Sequence, residues 1–375
     1  MTVAAFMDLA LYDPRLGYYA RAAQRSGRAG DFFTSVDVGP IFGELLAIQL
    51  AEMCRILDAE SPIARVDFVE AGAGNARLSA DILRATRSHD PHVFERLQLH
   101  LVEESPEARR AQGTTLADIT PPQVSSSDRL PDAFEGVLLA NELLDALPVH
   151  QVVMRDEGLR EVYVDVARGL EHGAAAGVGR VLSGPPSARP LVTVEGPLST
   201  PALEDYLSRL GITLEPGWRV EINLRAVDWV REAARRLRRG FLIFIDYGHE
   251  ARHLYSEAHA TGTLTAFSEH RMRGPESQPP AWIDRPGEQD LTAHVDFTSV
   301  RAAAEAEGLV TLGFMDQTYF VLGLVQARAA RVTQGLGLKT LLMPGGLGST
   351  HKVLILGKGV GRPSLSGCSF GQRIT

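Results

Sequence analysis

Cysteine is almost missing from this chain, which carries thiols only at Cys54 and Cys368 among its 375 residues. Two thiols so far apart match neither a metal-ligand spacing nor a redox pair, so a disulfide framework is excluded. Cys54 falls on the apolar side of a helix-like run and reads as a buried structural thiol. Positive charge is also scarce: 38 Lys and Arg stand against 46 Asp and Glu, a formal net charge of −8. That balance argues against a nucleic-acid partner, because such affinity comes mainly from cations on phosphates. No apolar run approaches membrane-spanning length, so membrane insertion is not expected. The N-terminal stretch MTVAAFMDLALYDPRLGYY has no basic leader and contains Asp8 and Asp13, which suits neither a signal peptide nor an Arg-rich transit sequence. A soluble, cytoplasmic protein is the expectation.

What is present is alternation. PIFGELLAIQLAEMCRIL has the apolar spacing of an amphipathic helix. ARVDFVE then reads as a strand, ARLSADILRAT as a helix, RLQLHLVE as a strand, SPEARRAQ as a short helix and EGVLLANE as a third strand. Such order argues for an α/β fold, a Rossmann-like doubly wound sheet with helices on both faces. VHQVVMRDEGLREVYVDV reads as an antiparallel hairpin, and the Gly-, Ala- and Pro-rich stretch after it as a mobile connection. AVDWVREAARRLRRG predicts a helix ended by Gly240, FLIFIDYG a strand, and residues 251–290 a loop. DFTSVRAAAEAEG predicts a helix capped by Asp296 and stopped by Gly308, followed by strands in LVTLGFM and KVLILG. The expected division is an N-terminal helical cap and flap over 1–60, a core over 61–148 and 216–360, a large insertion over 149–215 and a disordered tail over 361–375.

The first strand ends in Glu70-Ala71-Gly72-Ala73-Gly74. Glycines just after a strand let the backbone approach a ligand with no Cβ in the way. A dinucleotide fingerprint needs a third glycine at 77, where the chain has Arg77, so a pyrophosphate is disfavoured. A carboxylate two residues before Gly72 suits instead a ligand with a cationic amine. S-adenosylmethionine has an ammonium, a sulfonium and no phosphate. Glu103, at the tip of the second strand, can accept from both hydroxyls of a ribose. LLANELLDALPVHQ puts Asn141 and Glu142 at the next strand end, with Asp145 expected one helical turn on and His150 beyond Pro148.

FMDLALYDPRLGYY, GDFFTSVDVGPIFGELL, EAGAGNARLSADILR, HLVEESPEARRAQ, ANELLDALPVHQ, IDYGH, GTLTAFSEH, DLTAHVDFTSV and HKVLILGKG together resemble the MidA family of S-adenosylmethionine-dependent methyltransferases over about residues 5–357. Its mitochondrial members are complex I assembly-factor arginine methyltransferases. The resemblance implies a class I methyltransferase fold that binds S-adenosylmethionine. Glu70, Gly72 and Gly74 would face the methionine moiety, Glu103 the ribose, and Asn141 with Glu142 the boundary with the acceptor. Asp31, Thr34 and Ser35 would form a flap over the site. It also implies a protein substrate, an arginine that is symmetrically dimethylated in a respiratory-complex subunit, and a homodimer. Glu142 and then Asp145 are the carboxylates that would hold a guanidinium, with His150, Asp246, Tyr247 and His294 completing the acceptor pocket.

The family's Gly-Pro-Gly-x-Gly is here Gly72-Ala73-Gly74-Asn75-Ala76, which requires a negative φ at Ala76. Its Met-Gly-x-x-Phe-Lys is here Leu347-Gly348-Ser349-Thr350-His351-Lys352, read as drift in a packing segment. A catalytically inactive scaffold of the same fold is the competing reading. Gly367-Cys368-Ser369-Phe370-Gly371 spells a nucleophile elbow without the strand, helix or later histidine that it needs. His249, His253 and His259 form no sequence ligand set, and no catalytic metal is expected.

Overall fold

Strand pairing follows from the sequence alternation. The computed structural model describes residues 1–22, 34–60, 63–119, 123–167, 190–268, 271–275, 280–327, 336–343 and 347–371. In chain order its strands are β1 (Val66–Ala71), β2 (Leu97–Val102), β3 (Gln123–Ser127), β4 (Phe134–Asn141), β5 (His150–Arg155), β6 (Gly158–Val166), β7 (Leu191–Gly196) and β8 (Arg219–Ile222). They continue as β9 (Leu237–His249), β10 (Thr265–Ser268), β11 (Arg271–Arg273), β12 (Asp290–Thr292), β13 (Val295–Asp296), β14 (Val310–Asp316) and β15 (His351–Lys358). The main sheet runs β14-β15-β9-β4-β1-β2-β3, with β13 paired to the end of β9. Strands β3, β2, β1, β4 and β9 are parallel, and β15 lies antiparallel to both β9 and β14.

Both faces of the sheet are covered because its strands are apolar on both sides. Phe68, Phe241, Ile243 and Ile245 pack beneath helices Ile41–Glu60, Arg77–His89 and Gln317–Ala327. The alternate residues Val69, Leu242 and Phe244 pack against helices Ala202–Leu210, Leu224–Arg236 and Phe297–Ala306. Fully burying each large side chain stabilises by about 1.5–3 kcal/mol. Asp296 caps its helix as expected, accepting from the N–H groups of Thr298 and Ser299 at 2.9 and 3.2 Å.

The strands β7-β6-β5-β8 make a second, antiparallel sheet, so this sheet runs to Ile222, past the limit of 215 drawn from composition. The N-terminal helix Val3–Tyr12 packs Val3, Phe6 and Met7 with Val153 and Val162 of that sheet and with Trp282. Most of the Gly- and Pro-rich connection, residues 168–189, lies outside the described residues.

Three local expectations are corrected. The helix before β9 stops at Arg236, and Gly240 lies inside the strand. A Cβ at Gly240 would sit 1.9 Å from the Gly136 carbonyl oxygen, so the glycine serves close strand approach and not a helix end. Residues 251–290 are not one loop; they include a short helix, two 3-10 turns and the small sheet β11-β10-β12. The expected disordered tail is packed through residue 371: Leu365 is buried, and Glu52 and Gln49 accept from the N–H groups of Ser366 and Gly367 at 2.9 and 3.1 Å. Those two polar side chains, on the covered side of the helix Ile41–Glu60, give the last turn its partners.

Candidate active site

Strand order reverses between β1 and β4, and a cavity of about 240 Å³ opens above their carboxyl ends. Glu70 lines it from β1, although its carboxylate is almost fully buried. The Ser79 N–H donates to Glu70 Oε2 at 3.1 Å and the Ser79 hydroxyl donates to the same oxygen. Burial outweighs those bonds and, with the Glu103 charge adding, raises Glu70 to about 7. A carboxylate held that high has no cation beside it; an ammonium in the cavity would supply one.

The turn after β1 has left-handed backbone at Gly72 (φ +70) and Gly74 (φ +51). The Gly74 N–H donates to Glu103 Oε2 at 2.8 Å, and the Ser105 N–H donates to Oε1 at 2.7 Å. Glu103 therefore pins the turn from behind, and neither it nor Gly74 is among the residues that line the cavity. Ala76 is also left-handed (φ +67), contrary to the negative φ that its side chain led us to expect. Its methyl is wholly buried, and the conformation costs about 1–2 kcal/mol, which the start of the helix at Arg77 offsets.

Beyond β4 the acids are gathered by a turn and not by the helix expected there. Glu142 has φ +51, and its N–H donates to the Ile245 carbonyl at 2.8 Å. Asp246 sits behind the turn, accepting from the N–H groups of Leu143 and Leu144 at 3.2 and 2.8 Å. Asn223 donates its amide to the Leu144 and Leu147 carbonyls, both at 3.1 Å. Glu142 and Asp145 thus come to the same cavity wall, with Asn141. Burial, then the Glu142 charge, raises Asp145 to about 7. Asp246 is raised well above the carboxylate range by burial, with Asp145 adding to it. Among the described residues, Asn141 Oδ1 and Asp145 Oδ1 are buried without a hydrogen-bond partner.

The other candidates divide. Thr34 lines the cavity; its N–H and hydroxyl donate to Asp37 at 3.0 and 3.1 Å, and Asp37 pairs with Arg77 at 2.7 Å. Ser35 faces away from the cavity, fully buried and hydrogen-bonded to the Gln317 amide. Asp31 lies outside the described residues. His150 does not line the cavity: its Nδ1 is 2.8 Å from Glu161 in the second sheet. Asp246 and Tyr247 form a layer behind the wall, the Tyr247 ring lying 3.9 Å from that of His351. His294 points to a separate histidine cluster. Sequence reasoning missed Tyr19, Arg77, Asp290 and Thr292, all on the cavity wall, with the Tyr19 hydroxyl donating to Asp290 at 2.9 Å. Tyr19 and Asp290 sit in GYY and DLTAH, motifs that carry the family resemblance. His351 was missed as well. Its Nδ1 donates to the Leu347 carbonyl at 3.0 Å, which leaves Nε2 buried 3.5 Å from Glu142 Oε1. The segment read as drift is a support of the acid turn.

Residues 45–315 match a family model described as "Putative S-adenosyl-L-methionine-dependent methyltransferase". The chain belongs to this methyltransferase family. It is 32% identical over 332 residues to the Drosophila melanogaster mitochondrial protein arginine methyltransferase NDUFAF7 homolog, covering 82% of this chain and 67% of that one. The Mus musculus mitochondrial protein arginine methyltransferase NDUFAF7 is 31% identical, with 86% and 70% covered. A Burkholderia thailandensis protein crystallised with S-adenosyl-homocysteine superposes with a TM-score of 0.83 at 29% identity, covering 100% of this chain and 91% of that one.

This methyltransferase therefore uses S-adenosylmethionine, and the raised Glu70 with its glycine turn fits that cofactor's cationic tail. Membership of the family makes the chain an S-adenosylmethionine-dependent methyltransferase. The cytoplasmic expectation is overturned, because the Drosophila and mouse relatives are mitochondrial proteins. Among the described residues no helix is long and apolar enough to cross a membrane.

Proposed function

We propose that this methyltransferase acts on a guanidinium nitrogen of a protein arginine, held by Glu142 and Asp145. The observation that carries the reading is a cavity wall bearing Glu142, Asp145 and Asp290, with Asp145 raised to about 7 by burial and then by the Glu142 charge. Arg77 also lines the cavity, but it is paired with Asp37. The names of the fly and mouse relatives point the same way.

S-adenosylmethionine, when bound, would supply a methyl group on a sulfonium sulfur that leaves as a neutral thioether and so needs no proton. The protein has to align the acceptor and exclude water. A guanidinium is charged and a poor nucleophile. Glu142, accepting two of its N–H groups, concentrates electron density on the third nitrogen. As the new N–C bond forms, that nitrogen sheds a proton. Asp145, poised near neutrality, is the group suited to take it. On the cofactor side, Glu70 receives the ammonium, and Gly72 allows close approach. Glu103 acts at one remove, holding the glycine turn in shape through the Gly74 and Ser105 N–H groups. Asn141 stands at the boundary, and Thr34 carries the flap.

The test is incubation of the protein with methyl-labelled cofactor and host lysate, followed by hydrolysis and mass spectrometry of the labelled amino acids. Label in methylated arginine is the expected result. Label confined to lysine or to small molecules would remove arginine as the acceptor.

A further inference from the structure

Away from the cavity, three imidazoles from separate stretches converge. His249 ends β9, His259 closes the 3-10 turn Glu257–His259, and His294 lies between β12 and β13. Ring centroids are 5.0 Å apart for His249 and His259, 5.4 Å for His249 and His294, and 5.7 Å for His259 and His294. One nitrogen on each ring lies within 4.8 Å of the other two.

Stacked histidines are ordinary packing, but this group has more specific features. His259 Nδ1 is 3.0 Å from the His253 carbonyl, which can only accept, so Nδ1 carries the hydrogen. Nε2 then presents a lone pair. That tautomer, fixed by a backbone carbonyl, is the usual state of a metal-bound imidazole. His294 Nδ1 is buried with no hydrogen-bond partner among the described residues, a state that costs about 1–3 kcal/mol unless something else satisfies it. The backbones are held in place as well. The His294 N–H donates to Thr263 Oγ1 at 3.1 Å, and His249 pairs with Asp296 in the β9–β13 ladder.

We propose that His249, His259 and His294 form a binding site for a divalent transition-metal ion of the zinc type. Three imidazoles suit zinc, copper or nickel and not the hard, oxygen-seeking magnesium or calcium. Zinc–nitrogen bonds of about 2.0–2.1 Å put tetrahedral ligands about 3.4 Å apart, so the rings close in by rotation. The Lys352 ammonium opposes a cation here, but Asp316 neutralises it at 2.6 Å. The ion would tie the tip of β9 to the turn at 257–259 and to the segment that carries Asp290 and Thr292 into the cavity. Its role is to stiffen that wall, and no methyl-transfer step passes through it.

The experiment uses untagged, chelator-stripped protein titrated with cobalt(II) and zinc(II). One equivalent of cobalt with tetrahedral visible bands, submicromolar zinc affinity and a zinc-dependent rise in Tm are expected. Losing even an outer partner of a metal-bound histidine weakens affinity about 10- to 100-fold, so His259→Gln and His294→Gln should each cost at least the upper end. His259 is only half-buried, so its variant tests the site even where His294→Gln folds poorly. His253→Gln, which keeps the carbonyl, should bind normally. Zinc binding no tighter than millimolar, or equal binding by all variants, overturns the site.

Discussion

The two strand tips that frame the cavity are built on opposite principles. At the end of β1 the polar groups have partners: Ser79 serves Glu70, while Gly74 and Ser105 serve Glu103. At the end of β4, Asn141 Oδ1 and Asp145 Oδ1, with His351 Nε2 from β15 beside them, are buried without hydrogen-bond partners among the described residues, and Glu142 is held at φ +51. Such strain and unmet hydrogen bonding persist only where surrounding structure over-determines them, here through Asp246 and Asn223. The β1 tip has its hydrogen bonds met within the protein. The β4 tip leaves acceptors unmet, as the proposed guanidinium site requires.

That contrast predicts that substitutions will separate binding from turnover. Glu142→Gln should lower kcat by about 100-fold or more while cofactor affinity stays nearly unchanged, checked by single-turnover rates and calorimetry. Unchanged turnover would take Glu142 out of the acceptor role. Glu70→Gln should do the reverse first, weakening cofactor binding about 10- to 100-fold, the worth of one charge-assisted bond.

Glu70 also sets a pH dependence. Its pKa rises from 4.5 to about 7 on folding, so its stabilising contribution is complete below pH 4.5 and is lost as the pH climbs through 7. Glu70→Gln should therefore gain up to about 3 kcal/mol on the native protein over that window, measured by urea unfolding at several pH values. Cofactor affinity of the native protein should rise with pH up to about 7 as a bound cation displaces the proton, and the variant should lack that limb. A flat profile in both proteins would break the link between Glu70 and the ammonium.

His351→Phe is a finer probe. His351 lowers Asp145 against the burial and Glu142 charge that raise it, so its loss should move the acid limb of the kcat profile to higher pH, with a fall in rate of only several-fold. The smallest effect is expected at Ala76→Gly, which relieves left-handed strain but gives up a buried methyl. Stability should shift by no more than about 1 kcal/mol, with cofactor affinity unaltered; a large loss of binding would mean that the β1 tip depends on that methyl.

Much of the site was legible because its pieces lie at the ends of readable strands. Glu70, Asn141, Glu142 and Asp145 all follow apolar runs whose period marks β1 and β4, and all reach the cavity. The failures have a common cause. The Asn141–Leu147 segment looked helical from its acid spacing, but Asp246, a hundred residues away, captures its N–H groups and bends it into a turn. Gly240 looked like a helix stop because nothing nearby in the chain reports the Gly136 carbonyl against it.

Periodicity and local chemistry were enough to specify the doubly wound sheet, the glycine turn and the acids at the strand tips, because each depends on residues within a few positions of one another. Only the folded chain decided that Tyr19, Asp290 and Thr292 join that cavity, that His351 backs Glu142, and that three distant histidines meet. Those meetings are set by loop closure and packing across tens to hundreds of residues, for which no local pattern exists to be read.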